Sequence, residues 1–172
     1  MLYYGIPNYR LPKDRLAEDI QNILATGVET KMNTCIGDGD GEISFKMLKE
    51  NYDAVYVSIG AHTDKKLGIP GEDAKGVISA IQMLRDIGDG NPPDFTGKNV
   101  IVVGGGNVAM DATRSAIRLG AKNVSVMYRR RKADMTALME EIEAAIAEGA
   151  EILELHAPQA IETKRTGNCY GC

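Results

Sequence analysis

Cysteine and histidine are scarce in this sequence. Its 172 residues include three cysteines and two histidines, and no apolar run reaches the length of a membrane span. Three cysteines do not make a disulfide framework in a chain of this length. His62 and His156 are isolated, which indicates surface or loop positions. Residues 1–5 are neither basic enough nor apolar enough for a signal peptide, so we expect a cytoplasmic protein.

The charge balance excludes another group of functions. The net charge is −4 at pH 7, which provides no general attraction to nucleic acid or to an anionic membrane. We therefore expect neither as a partner. A content of 44% hydrophobic and 26% charged residues is ordinary for a soluble globular protein. The length allows one full domain plus part of another.

Alternating strands and helices from residue 99 onward predict an α/β fold. Apolar runs at residues 99–103, 124–128 and 151–155 indicate strands, and helical patterns separate them. Parallel strands joined by right-handed helical crossovers bury such runs economically. We therefore expect a partial Rossmann-like domain, a three-layer arrangement of a parallel sheet with flanking helices. One apolar helical face is predicted from Met135, Leu138, Met139, Ile142 and Ile146.

The first 94 residues contain further predicted elements. Ser79 and Gln82 form a capping box that predicts a helix start. The apolar run at residues 53–59 predicts a buried strand. The remaining predictions are a helix over residues 14–27, a short strand over 28–33, a short helix over 44–51 and a linker over 89–94.

A glycine turn follows the first strand of the α/β region. Gly104, Gly106 and Ala109 fit the pattern G-x-G-x-x-A, with Gly105 between the first two. Gly104 permits the tight turn, Gly106 leaves room for a pyrophosphate, and Ala109 lets helix and strand pack closely. The free N–H groups at the helix start favour an anion there. This context predicts a dinucleotide-binding site.

Two polar residues near the turn have alternative interpretations. Asn107 either donates to a phosphate or ribose, or caps the helix. Asp111 is placed in the first helical turn, where stabilisation by the helix N-terminus is a simpler explanation than a chemical role.

The second strand of the α/β region ends in a basic run. In NAD-binding folds an acid at this point binds the ribose 2′-hydroxyl, whereas an arginine accommodates a 2′-phosphate. Here Arg129, Arg130, Arg131 and Lys132 follow the strand, and the first acid is Asp134. The alternative is a solvated basic run. The position favours NADP(H) over NAD(H), because guanidinium groups match phosphate oxygens well.

No metal site is predicted. The acidic residues at 38–42 resemble the middle of an EF-hand loop, but Ile36 and Met47 would occupy its first and last ligand positions. Cys169 and Cys172 form a C-x-x-C at the end of the sequence, without a second ligand pair or a following helix. Their role stays open.

Several segments together resemble a known family. The sequence resembles the NADPH-dependent small subunit of glutamate synthase and related FAD-containing pyridine nucleotide-disulfide oxidoreductases. These relatives include dihydropyrimidine dehydrogenase, the bifurcating ferredoxin–NADP oxidoreductases and, more distantly, adrenodoxin reductase. Thioredoxin reductases differ, because no redox cysteine pair precedes this glycine turn. The resemblance rests on residues 4–13, 52–61, 67–72, 104–111 and 128–130.

The resemblance implies a flavoprotein in which an NADPH domain is inserted into an FAD domain. Residues 1–75 then correspond to part of the FAD domain, and residues 76–172 to the first half of the NADPH domain. Gly60 and Ala61 are implied to lie at the crossing, close to both cofactors. The glycine turn with Asn107 and Val108 is implied to bind pyrophosphate, with Arg129 and Arg130 on the 2′-phosphate.

The sequence also departs from the family. The family's FAD fingerprint, its upstream iron–sulfur cysteines and the second half of its NADPH domain are absent. We therefore expect FAD to belong to the parent protein and not to be retained by this chain, which alone is expected to be incomplete and inactive. Expected partners are the rest of the flavoprotein and an iron–sulfur or large catalytic subunit. Hydride transfer between NADPH and FAD needs no catalytic side chain here. The alternative is a non-catalytic nucleotide-binding or interaction module.

Overall fold

The computed structural model describes residues 1–39 and 41–163, which form two compact units. One unit combines Met1–Lys13 with the described residues from His62 onward. The other unit is Asp14–Ala61. Cys169 and Cys172 lie outside the described residues.

A three-stranded parallel sheet organises the first unit. Its strands are β1 (Asn99–Val103), β2 (Asn123–Tyr128) and β3 (Glu151–Glu154), in the order β1-β2-β3. Val102 is in register with Val126, and Val126 with Ile152, so these three side chains share one face. Because the strands are parallel, their carboxyl ends lie along one edge of the sheet.

Helix α4 (Asn107–Arg118) covers that face and lies at the centre of the core. It packs against β1, β2, α3 (Ala80–Gly88) and α5 (Met139–Ala147). The helix buries small residues toward the sheet, which permits close packing. The core contains Ala109, Met110, Ala112 and Ala116 from α4, Met83 and Leu84 from α3, Ile142 and Ala145 from α5, and Val124 and Val126 from β2. The predicted Rossmann-like arrangement of a parallel sheet with flanking helices is confirmed.

Serine hydroxyls cap two helices near their predicted starts. The Ser79 hydroxyl accepts a hydrogen bond from the Gln82 N–H at 3.2 Å, and α3 begins at the next residue, as predicted. The predicted capping box is only half formed, because the Gln82 side chain donates to Asp86 at 2.7 Å instead. In the second unit the Ser44 hydroxyl caps α2 (Phe45–Asn51) in the same way. All but the first residue of α1 (Lys13–Leu24) belongs to that unit. The helix begins one residue before the predicted start and ends three residues before the predicted end at residue 27.

The two strands predicted in the second unit are not formed. Residues 53–59 are exposed and lie in no strand, and the Tyr56 side chain is 92% exposed. Residues 28–33 form a loop in which Asn33 has a φ of 51°. A strand needs neighbouring strands for its hydrogen bonds, and none of the strands in the described part of the chain pairs with these segments. The prediction of strands over residues 28–33 and 53–59 is therefore wrong.

The predicted apolar helix after β2 begins later than expected. A short 3₁₀ helix (Lys132–Asp134) comes first, and Leu138 is the residue that precedes α5. The N–H groups of Thr136 and Ala137 instead donate to the Gly105 carbonyl, both at 3.0 Å. Met135 and Leu138 thus lie outside the helix, because the intervening segment is hydrogen-bonded to the glycine turn.

Candidate functional site

Gly104 makes the turn between β1 and α4. Its φ of +141° is a conformation that residues with a side chain rarely adopt. Its N–H donates to the Met127 carbonyl at 3.1 Å and so continues the pairing with β2. A Cβ at Gly104 would lie 3.6 Å from the Ala109 methyl carbon. The turn therefore needs a glycine at the first position and benefits from a small residue at the sixth.

Gly105 is required by the packing of the protein itself. A Cβ at this position would lie 2.7 Å from the Tyr128 ring and 3.0 Å from the Met135 side chain. Tyr128 is buried at the end of β2, and its hydroxyl donates to the Asp134 carbonyl at 2.9 Å. The ring therefore holds the glycine turn against the carboxyl end of the sheet.

Gly106, in contrast, is not required by the packing or by its backbone conformation. It is the N-cap of α4, with a φ of −99° and a ψ of 174°, a conformation open to any residue. A Cβ there would meet only the Thr136 hydroxyl oxygen among the described residues, at an ordinary 3.5 Å. The N–H groups of Asn107 and Val108 make no hydrogen bond within the described chain. The start of α4 thus presents free donors beside an open surface.

Asn107 connects the starts of two helices. Its Oδ1 accepts a hydrogen bond from the Leu138 N–H at 3.0 Å, just before α5. It does not cap its own helix, because Gly106 occupies the N-cap position, so that alternative is wrong. An N–H donor must meet the amide oxygen, which fixes the orientation of the side chain. The amide nitrogen, with two hydrogens, remains a donor at the exposed helix start.

Val108 and Asp111 lie one turn apart on α4 but differ in exposure. Val108 is in the first turn and is 46% exposed beside the free N–H groups. Asp111 is the fifth residue of the helix, so the expectation that it lies in the first turn is wrong. Its carboxylate is buried and accepts hydrogen bonds from Arg10 at 3.0 and 2.9 Å. Burial raises the pKa of Asp111, and the hydrogen bond from Arg10 opposes that rise.

A network of charged residues behind the site was missed by sequence analysis. Arg10 also contacts Glu141 at 3.1 Å, and Arg114 contacts both Glu141 at 2.8 Å and Glu148 at 2.9 Å. Arg118 completes the chain of contacts to Glu148 at 2.8 Å. The spacing of Arg114 and Arg118, one helical turn apart, was the available signal for one side of this network. It ties α4 to α5 and to the N-terminal segment.

The three arginines after β2 have different environments. The Arg129 guanidinium is exposed and makes no hydrogen bond or ion pair with any described residue. Arg130 lies over the Tyr128 ring at 5.8 Å. Arg131 contacts the Asp134 carboxylate at 3.3 Å, and its hydrogen bond lowers the pKa of Asp134. Arg129 and Arg130 are thus available to an anion, whereas Arg131 is already paired.

The parallel sheet brings the arginines and the glycine turn to one edge. β1 ends at Val103 before the turn, and β2 ends at Tyr128 before the arginines. The two strands are direct neighbours, and Val103 at the end of β1 pairs with Met127, one residue before the end of β2. This edge is where open α/β sheets bind dinucleotides.

Two further candidate positions lie in the second unit. Gly60 and Ala61 belong to the second unit, where both are exposed and Gly60 has a φ of +69°. The described residues contain no group of three or more side chains able to hold a metal ion. No helix in the described ranges is long and apolar enough to cross a membrane.

Comparison with known proteins gives the family. Residues 3–156 match the model of the pyridine nucleotide-disulphide oxidoreductases. The chain belongs to this family. It is 43% identical to the NADP(+)-dependent formate dehydrogenase subunit beta of Moorella thermoacetica, over 99% of the chain and 24% of that protein. It is 32% identical to the glutamate synthase [NADPH] small chain of Escherichia coli, over 99% of the chain and 38% of that protein.

These relatives confirm the resemblance found in the sequence, and the chain spans about a quarter to two fifths of their length. A solved structure, Mycobacterium tuberculosis FprA in complex with NADPH, aligns with a TM-score of 0.65 at 21% identity. The alignment covers 86% of this chain and 38% of FprA. This likeness shows that the fold is shared.

Proposed function

We propose that this chain is the NADPH-binding part of a flavin-dependent oxidoreductase that resembles the glutamate synthase small subunit and passes hydride between NADPH and FAD. The family membership supports a pyridine nucleotide as the ligand. Two relatives have NADP(+) or NADPH in their names. The chain's own residues offer one site for the pyrophosphate, at the start of α4, and a second for the 2′-phosphate, after β2.

The open surface at Gly106 is the observation that carries the proposal. Neither the backbone conformation nor the packing of the protein requires a glycine there, so the missing side chain leaves space for something outside the chain. The free N–H groups of Asn107 and Val108 lie at the start of α4, where the helix dipole favours negative charge. These features fit a pyrophosphate. Gly104 and Gly105 shape the turn that presents it.

Arg129 and Arg130 support the preference for NADPH. Both follow β2 at the point where the ribose of the adenosine half binds in this fold. Asp134, the nearest acid in sequence, is paired with Arg131, and Glu154 accepts a hydrogen bond from the Lys132 N–H at 2.8 Å. Two unpaired guanidinium groups therefore remain for a 2′-phosphate.

The cofactors supply the hydride chemistry, and the residues of this chain bind and orient. We assign no catalytic acid or base. Asp111 lies behind the site, and its ion pair with Arg10 holds α4 in position. We assign FAD to the rest of the parent protein, because the chain has one dinucleotide fingerprint, at Gly104 to Ala109.

The domain assignment from sequence remains part of this proposal. Residues 1–75 correspond to a segment of the FAD domain, and residues 76–172 to the first half of the NADPH domain. Gly60 and Ala61 are proposed to lie near both cofactors where the chain passes between domains. The relatives named above are small or beta subunits. We therefore propose the rest of the flavoprotein and an iron–sulfur or large catalytic subunit as partners. We also propose a cytoplasmic location.

Calorimetric titration of the full 172-residue chain with NADPH and NADH tests the proposal. We expect binding of both nucleotides, with NADPH bound at least tenfold more tightly. The visible absorbance of the purified chain, before and after incubation with FAD and gel filtration, tests the assignment of the flavin. We expect no stoichiometric flavin in either sample. Failure to bind either nucleotide would exclude the proposal, and tightly bound yellow flavin would exclude the assignment of FAD to the rest of the protein.

A further inference from the structure

Thr136 lies beside the candidate pyrophosphate site but outside the glycine motif. Among the described residues, its hydroxyl oxygen is the one neighbour within 4 Å of the position that a Cβ on Gly106 would occupy, at 3.5 Å. A pyrophosphate oxygen packed against Gly106 would fill this same space. The Thr136 hydroxyl is therefore within hydrogen-bonding reach of that oxygen.

The backbone around Thr136 is tied to the glycine turn. The N–H groups of Thr136 and Ala137 both donate to the Gly105 carbonyl at 3.0 Å. Two residues later, the Leu138 N–H donates to Asn107 Oδ1 at 3.0 Å. Three consecutive N–H groups thus hold this segment against the turn before any ligand arrives. A side chain positioned in this way loses little freedom when it contacts a ligand.

The hydroxyl of Thr136 has hydrogen-bonding capacity to spare. Thr136 is exposed, and its hydroxyl makes no hydrogen bond with any residue in ranges 1–39 and 41–163. A threonine hydroxyl can donate one hydrogen to an anionic oxygen. We propose that the Thr136 hydroxyl is a further ligand of the dinucleotide pyrophosphate, donating across the open side of Gly106. This inference rests on the proposed function.

Loss of the proposed Thr136 contact should change the affinities for NADPH and NADH in a way that loss of the arginines cannot. The pyrophosphate is common to NADPH and NADH, so loss of the Thr136 hydroxyl weakens both by the same factor. Loss of Arg129 affects a group that only NADPH carries. A change in affinity without a change in nucleotide preference therefore identifies a pyrophosphate ligand.

The test uses Thr136→Val, which replaces the hydroxyl by a methyl group of similar size, and Thr136→Ser, which retains the hydroxyl. Thr96→Val is a control for loss of a threonine hydroxyl away from the site, because Thr96 is exposed just before β1, at the opposite edge of the sheet, where its side chain bonds Asp94. The full chain is titrated with NADPH and with NADH by calorimetry, and the melting temperature of each variant is measured without ligand.

We expect Thr136→Val to weaken both nucleotides about tenfold, the effect of losing one hydrogen bond to a charged group. Thr136→Ser and Thr96→Val should retain most of the affinity, and the melting temperatures of the two Thr136 variants should stay close to that of the parent. Unchanged binding by Thr136→Val would overturn the inference. So would a loss confined to NADPH, or an equal loss in Thr136→Ser. If the parent binds neither nucleotide, the proposed function fails and this inference fails with it.

Discussion

Arg10 and Asp111 lie 101 residues apart in the sequence, yet the Arg10 guanidinium meets both oxygens of the Asp111 carboxylate at 3.0 and 2.9 Å. The Asp111 side chain is 7% exposed, and that of Arg10 is 25% exposed. Arg10 also reaches Glu141 on α5. The N-terminal segment is thus fixed to α5 and to α4, and the first residues of α4 form part of the candidate nucleotide site.

We expect Arg10→Met to lower the free energy of unfolding by about 2–3 kcal/mol, because it leaves a buried carboxylate without its cation. Arg15→Met is the control. Arg15 pairs with Glu18 at 2.9 Å, but both side chains are more than 60% exposed, so we expect a change of about 0.5 kcal/mol or less. Urea unfolding followed by circular dichroism measures both changes.

A double-mutant cycle decides whether the ion pair causes the loss. The double variant Arg10→Met with Asp111→Asn should be destabilised by less than the sum of the two single variants, because it removes the unpaired charge. Additive losses would show that Arg10 acts through its packing and not through Asp111.

The same network should contribute to acid sensitivity through Glu148. The hydrogen bond from Arg118 holds the pKa of Glu148 below its ordinary value of 4.5, although partial burial opposes it. A carboxylate with a lowered pKa in the folded state stabilises the protein above the ordinary value and loses that contribution as the pH falls through the lowered one. We expect Glu148→Gln to be destabilised by about 1 kcal/mol at pH 7, because solvent screens part of the interaction.

The difference between parent and Glu148→Gln should shrink as the pH falls below 4.5, because the protonated carboxyl becomes neutral like the amide. Glu143→Gln on the exposed side of α5 is the control and should differ little from the parent at any pH. Unfolding by urea at a series of pH values tests this. A gap that persists at low pH would mean that Glu148 contributes through shape and not through charge.

Elements with strong local signals could be predicted from the sequence. The strand Asn99–Val103 has the predicted bounds, and Ser79 caps α3 as its spacing with Gln82 indicates. The glycine turn is also local, since six residues define it. Residues 53–59 carry an equally strong apolar signal but form no strand, because pairing depends on neighbours that a run of residues does not specify.

Long-range contacts at the site could not be predicted in the same way. Nothing in the sequence around Asp111 indicates that Arg10 is its partner. Its place near the start of the helix instead favours stabilisation of the carboxylate by the helix dipole. Thr136 is not part of any motif, and it reaches Gly106 only because its backbone is bonded to Gly105. Such contacts depend on how separate segments pack, and therefore need the three-dimensional structure.

The nucleotide preference should depend on the two unpaired arginines. We expect Arg129→Ala combined with Arg130→Ala to remove most of the preference for NADPH, since each charged hydrogen bond to phosphate contributes about 1.5–3 kcal/mol, roughly one to two powers of ten in affinity. Affinity for NADH should change little. Arg131→Ala is the matched control, because Arg131 is adjacent in sequence but paired with Asp134.

Calorimetry with NADPH and NADH on the parent and both variants gives the preference ratios. Equal affinity of the parent for the two nucleotides would refute the assignment of Arg129 and Arg130 to the 2′-phosphate. The same assignment fails if Arg131→Ala changes the ratio as much as the double variant does.

Gly105 and Gly106 allow stability and binding to be separated within one turn. We expect Gly106→Ser to bind dinucleotide at least tenfold more weakly, because its side chain occupies the space proposed for the pyrophosphate. The same variant should be as stable as the parent or more stable by up to about 0.5 kcal/mol. Serine is a good N-cap residue, and the backbone at Gly106 is already in an N-cap conformation.

Gly105→Ala should have a different effect. Its added methyl group would meet the Tyr128 ring, so we expect the unliganded protein to lose about 1–3 kcal/mol of stability through overpacking. Melting temperatures with and without NADPH separate the two cases: the parent should be stabilised by the nucleotide, Gly106→Ser should melt like the unliganded parent under both conditions, and Gly105→Ala should melt early. If NADPH raises the melting temperature of Gly106→Ser as much as that of the parent, no phosphate lies against Gly106 and the pyrophosphate site must be elsewhere.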